Sequence, residues 1–162
     1  MYTRDALLDI HDGSHRSLSM LLEHCRGLDD EQFNRELDGF GYPSVRSQLH
    51  HIISAQRYWL SVIEDRMNAD ENEDAYRSID DLEAFRPETH RLTETYIRTT
   101  PEDQLSARRD FVVWGGDRRP LVPAQVILRT QTHIYHHMGQ VTAMCRLLGH
   151  PTLPGMDFPL TE

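Results

Sequence analysis

The sequence predicts an all-α fold: a four-helix bundle with a short extended segment before the last helix. Three observations carry this. Apolar residues recur at helical spacing in four long stretches; Ser, Gly and Pro stand where such stretches begin and end; and one β-branched and aromatic run breaks the pattern near residue 111. The 162 residues read as a single domain, 1–162, long enough to bury a core without disulfides or structural metal.

The first helix runs from about Thr3 to Cys25, with Leu7, Ile10, Ser14, Leu18, Leu21, Leu22 and Cys25 as its stripe and Gly27 as its stop. Asp29, Asp30 and Glu31 then open a short helical turn through Phe33 and Leu37, and Gly39 to Pro43 form a loop. Ser44 caps the second helix, whose face carries Val45, Leu49, Ile52, Ile53, Trp59, Leu60 and Ile63. The polar stretch Asn68 to Tyr76 reads as a flexible connection. Ser78 with Asp81 makes a capping pattern for the third helix, through Leu82, Phe85, Thr89, Leu92, Tyr96 and Ile97, with an expected kink at Pro87 and an end at Pro101. Phe111 to Trp114 followed by Gly115 and Gly116 predicts a short extended segment and a turn. Pro123 suits the first turn of the fourth helix, which ends at Gly149 and Pro151 and leaves an irregular tail on the surface.

Composition narrows the function. A net charge of −9 argues against nucleic acid, which needs a basic stripe, and against anionic membranes. No apolar run approaches the roughly 20 residues of a membrane span, and no signal-peptide core precedes the first helix, so a soluble cytoplasmic protein is expected. All 17 basic residues are Arg, which removes lysine-based Schiff-base and P-loop chemistry. Cys25 and Cys145 lie in apolar stripes and read as two buried thiols.

The histidines carry the chemistry. His133 and His137 lie four residues apart on the inner stripe of the last helix, so their imidazoles stack one turn apart and can share an ion. The competing reading is a pair of hydrogen-bonded core histidines in a bundle without metal, since a His pair alone is weak evidence. Ile134 occupies the place of the Glu in the His-Glu-x-x-His pattern, which disfavours a metalloprotease of that kind. Gln140 extends the same face and is placed to support a metal-bound ligand from the second shell. His11 and His15 have the same four-residue spacing but read as surface or rim residues. His136 points about 100° away from His137. His24, His90 and His150 show no partner at useful spacing. A third ligand can come from the second helix, where periodicity does not choose between His50 and His51.

Two stretches resemble the DinB superfamily, bacterial four-helix bundles that include the YfiT-like metal-dependent proteins. Ser44 to Ala55 is similar to the family's second-helix pattern, in which one His follows a Ser-(Ile/Val) start by seven residues; that register selects His51. Thr132 to Gln140 is similar to its His-x-x-His-His-x-Gly-Gln pattern, whose first and third histidines correspond to His133 and His137. Gly115 to Asp117 suits the turn the family places before its last helix, whereas Arg129 departs from the His or apolar residue of many relatives.

The resemblance implies a divalent metal held by His51, His133 and His137, Zn²⁺ first and Ni²⁺ as an alternative, and a homodimer. Family members include transferases that use bacillithiol, mycothiol or glutathione, and isomerases. The expected function is therefore a metal-dependent enzyme transferring a low-molecular-weight thiol to a small-molecule substrate. The alternatives are a hydrolase that activates water on the metal, and a non-catalytic metal-binding, stress-associated dimeric bundle. Catalytic groups beyond the ligands and the residues that would bind the thiol are not identifiable from the sequence.

Overall fold

Local capping chemistry sets the helix starts. The computed structural model describes residues 2–68 and 72–160. Thr3 accepts a hydrogen bond from the Ala6 amide and opens α1 (Arg4–Cys25). Capping boxes open three more helices: Asp29 with Gln32 for α2 (Asp30–Asn34), Ser44 with Ser47 for α3 (Val45–Ile63), and Ser78 with Asp81 for α4 (Ile79–Thr99). A short α5 (Glu102–Ser106) leads to the antiparallel strands β1 (Arg109–Val112) and β2 (Arg118–Leu121). Pro123, which lacks the amide a first turn leaves unpaired anyway, begins α6 (Pro123–Leu147).

The expected all-α architecture is therefore observed, with two local corrections. The short second element stops at Asn34, because the Leu37 amide instead donates to the Pro43 carbonyl and closes the loop. As expected, the third long helix continues through Pro87 and stops just before Pro101; the proline ring lies on the exposed face, where water can serve the carbonyl of Glu83 that loses its partner. The extended segment is a full hairpin. Its turn passes through Gly115 and Gly116, both at positive φ, a backbone that side-chain-bearing residues rarely adopt. Of the connection expected to be flexible, residues 69–71 lie outside the described ones, and Glu73–Ala75 form one 3-10 turn.

Helix directions follow from the contacts. Arg4 at the start of α1 donates to the carbonyls of Ile97 and Thr100 at the end of α4, while Arg26 pairs with Asp80 at the other end, so α1 and α4 are antiparallel. Arg57 pairs with Glu88, and Tyr96 donates to the Ile63 carbonyl, so α3 and α4 run the same way. Cys25 meets Cys145, which makes α1 and α6 parallel. Each of α1 and α3 packs on both α4 and α6. The ring order is thus α1, α4, α3, α6, in an up-down-down-up bundle, and the α1–α4 and α3–α6 edges lie opposite each other.

The interior has two apolar clusters. One joins Leu18, Leu22, Leu49, Ile53, Leu82, Phe85, Ile134 and Met144 toward the α1 C-terminus; the other joins Leu7, Leu60, Ile97, Phe111 and Ile127 beneath the hairpin. Between them every long helix contributes buried polar groups: His11, Ser14 and His15 from α1, Gln56 from α3, Thr89 and Thr93 from α4, Thr130 and Gln131 from α6. This polar belt corrects the reading of His11 and His15 as surface residues. They are 0% and 2% exposed, because the buried stripe of α1 runs from Leu7 through His11 and His15 to Leu18, and Ile10 stands at its margin. The tail crosses α1 at Gly13, where Phe158 fills the space a Cβ would take and the Asp157 carbonyl accepts from Ser17.

Candidate metal centre

The Ser44 cap fixes the start of α3, and about two turns later the helix presents His51 toward α6. His50, the neighbouring residue, turns to the other side and packs on Tyr76 and Phe85. On α6, His133 and His137 stack one turn apart. The structure brings these three side chains together: His51 Nε2 stands 3.3 Å from His133 Nε2, which stands 3.2 Å from His137 Nε2. All three donor atoms lie within 4.8 Å of one another. Two nitrogens bound tetrahedrally at zinc distances would be about 3.3 Å apart, so two of the three donor pairs already stand at the spacing one ion needs.

The donor chemistry fits as well. His137 Nδ1 donates to Gln48 Oε1 at 2.7 Å, so a neutral His137 ring carries its proton there and turns a bare Nε2 lone pair to the cluster. The Gln48 amide is in turn fixed, its Nε2 donating to the Tyr42 carbonyl and to Gln140 Oε1. Three neutral imidazoles cannot satisfy three converging Nε2 atoms with protons alone; a cation satisfies all of them. Burial, reinforced by the neighbouring His133 and His137, lowers the His51 pKa to about 3. Burial, then His137 and the Arg129 guanidinium, lowers His133 to about 4. Burial followed by His136 lowers His137. All three rings are therefore neutral at pH 7, the form that binds metal.

Two neighbours were not legible from sequence spacing. Gln48 lies one helical turn before His51 and reaches across to His137, a contact only the α3–α6 packing reveals. The Tyr42 ring, from the loop before α3, stacks on His51 with centroids 3.8 Å apart. Gln140 lies next to the cluster but bonds to Gln48 and His136, so it acts on His137 through Gln48. His136 is exposed, as its helical position predicts.

A second cluster occupies the opposite edge. His11, Asp12 and His90 offer donor atoms within 4.8 Å of one another. The His11 and His90 rings stack at 4.5 Å, and His15 packs edge-on against both. His90 Nε2 donates to Asp12 Oδ1 at 2.8 Å, His11 Nε2 to the His90 carbonyl at 3.1 Å, and His15 Nε2 to Gln56 Oε1 at 2.9 Å. Thus His90, expected to lack a partner, has several; residues 78 positions apart meet only through the antiparallel α1–α4 packing. His24 and His150 also pair, each ring donating to the other's carbonyl. The expected buried thiols are present: Cys25 and Cys145 lie 3.9 Å apart, and their contact, with burial, raises the Cys25 pKa.

No helix among the described residues is long and apolar enough to cross a membrane. The chain matches the DinB family over residues 13–162, nearly its whole length, and belongs to that family. No curated protein matches it.

Proposed function

Because this DinB-family chain directs three neutral imidazoles at one point, we propose that it is a divalent-metal-dependent enzyme that transfers a low-molecular-weight thiol to a small electrophilic substrate. The observation that carries the reading is the 3.2 and 3.3 Å spacing of the Nε2 atoms of His51, His133 and His137. These residues would hold the ion, Zn²⁺ first and Ni²⁺ as the alternative that ligand type alone does not exclude. When bound, such an ion supplies an open, acidic coordination position that lowers the pKa of a thiol or water placed there.

The chain's own residues support that chemistry. Gln48 holds His137 in the ligating tautomer, and Tyr42 covers the His51 ring and restricts approach from that side. Arg129 stands near enough for its charge to act on His133, and it favours an anionic ligand such as a thiolate over a neutral one. The chain has no lysine, and its two cysteines are buried against each other, so the thiol must come from a small molecule. The reading includes a homodimer, which sedimentation at micromolar concentration tests.

The functional test is a screen of several low-molecular-weight thiols with electrophilic acceptors, each run with and without chelator. The proposal expects transfer that needs both thiol and metal. Hydrolysis that proceeds without any thiol would replace it with metal-dependent hydrolysis. Metal-loaded protein inactive in both assays would leave a non-catalytic metal-binding bundle.

A further inference from the structure

We propose a second divalent-cation site on the α1–α4 edge, made of His11, Asp12 and His90. It lies across the bundle from the three-histidine cluster and shares no residue with it. Its donor set is two imidazoles and one carboxylate, a combination that binds first-row divalent ions such as Zn²⁺, Ni²⁺, Mn²⁺ and Fe²⁺.

Three observations carry the site. The donor atoms of all three residues already lie within 4.8 Å of one another. The second concerns His11, which is 0% exposed and has a fixed tautomer. Its Nε2 faces a carbonyl oxygen, which can only accept, so Nε2 holds the proton and Nδ1 is a bare lone pair. That Nδ1 is buried and makes no well-formed hydrogen bond, although the Gln131 side chain, its own Oε1 unpaired, lies within reach of the ring; such a polar atom is costly unless a ligand meets it. The third is access: Asp12 and His90 are part-exposed, with side chains 40% and 27% accessible, while His11 closes the inner side. An ion can enter from solvent and end against a buried nitrogen. Among the described residues the Asp12 carboxylate pairs with His90 and forms no ion pair with an arginine.

Binding requires a small rearrangement. A ligating His90 carries its proton on Nδ1, so that Nε2, the nitrogen now bonded to Asp12, turns a lone pair to the ion. Asp12 exchanges a hydrogen bond for a coordination bond, and His11 contributes the lone pair it already has. Hydrogen bonds must be surrendered and stacked rings reoriented, so this site is the weaker of the two. Its effect is mechanical: the ion ties α1 to α4 and stabilises the folded chain increasingly as free ion rises above its Kd.

The experiment is calorimetric titration of the untagged full chain with Zn²⁺, using a His133→Ala/His137→Ala variant to remove the first cluster. The double variant should bind one ion, and its melting temperature should rise at saturating Zn²⁺. Adding Asp12→Asn, at a part-exposed position that keeps side-chain size, should abolish both effects while the helical circular dichroism is unchanged; His90→Gln should do the same. A folded double variant that binds no Zn²⁺ overturns the site. So does binding that survives both Asp12→Asn and His90→Gln, which would place the ion at other histidines. Loss of the first cluster's ion with the second retained bears only on the first, so the two readings fail separately.

Discussion

The two edges of the bundle carry similar residues arranged to opposite effect. On the α3–α6 edge the imidazole Nε2 atoms face one another at 3.2 and 3.3 Å, and a neighbouring amide holds one ring so that its lone pair points inward. On the α1–α4 edge two rings lie face to face and a third packs edge-on against them, with Nε2 atoms committed to a carbonyl, an amide and a carboxylate. Histidine content therefore does not distinguish them. What does is whether ring nitrogens converge on a point or are consumed by the packing. Convergence gives a pre-organised ligand set; consumption gives a cross-helix network that must trade hydrogen bonds to bind anything.

The comparison can be broken most directly at the ligands. His133→Ala or His137→Ala should remove the tightly bound ion, read as metal content per chain in elemental analysis. Wild-type content in both variants would erase the distinction between the edges. A smaller effect is expected one step out: Gln48→Leu leaves three imidazoles but frees the His137 tautomer, and Zn²⁺ affinity should fall roughly 10- to 100-fold. Unchanged affinity would mean that packing alone orients the ring.

The opposite edge is sharpened by pH. Burial lowers the His11 pKa from 6.5 to about 4, and also lowers His15 well below its ordinary value. Between those values of pH the unfolded chain binds more protons, so the stability from keeping His11 neutral is present above pH 6.5 and is lost as pH falls toward 4. The fully buried ring makes this about 3 kcal/mol. In chelator, the urea midpoint should fall over this window, and His11→Gln should flatten the slope; parallel slopes would remove the effect. The smallest change is expected at His50, whose ring faces Tyr76 and Phe85: His50→Ala should keep the metal that His51→Ala loses. The reverse would show the wrong register on α3.

Much of this was legible in the sequence because it is local. Helical periodicity, the Ser44 and Ser78 caps, Pro123 and the Gly115-Gly116 turn each act within a few residues, and they located the long helices and the hairpin turn. The four-residue spacing of His133 and His137 is local too, but choosing His51 over His50 needed the family register. The remaining features are tertiary. Gln48 meets His137 from 89 positions away, and Asp12 meets His90 from 78. His11 and His15 looked like rim residues because an imidazole on an apolar stripe resembles its edge; only the polar belt from all four helices shows that they are inside. The second strand, Arg118–Leu121, was hidden because Arg118, Arg119 and Pro120 have none of the alternation of a half-buried strand.

The central claim is that His51, His133 and His137 share one ion through nitrogen. X-ray absorption at the zinc edge, on the full chain loaded with one equivalent of Zn²⁺, tests it most directly. The account predicts three imidazole nitrogens at about 2.0–2.1 Å with one further light, exchangeable ligand, a signature that Asp12→Asn leaves unchanged and that His137→Ala removes. An oxygen-dominated shell, or a spectrum that changes with Asp12→Asn and not with His137→Ala, would contradict it.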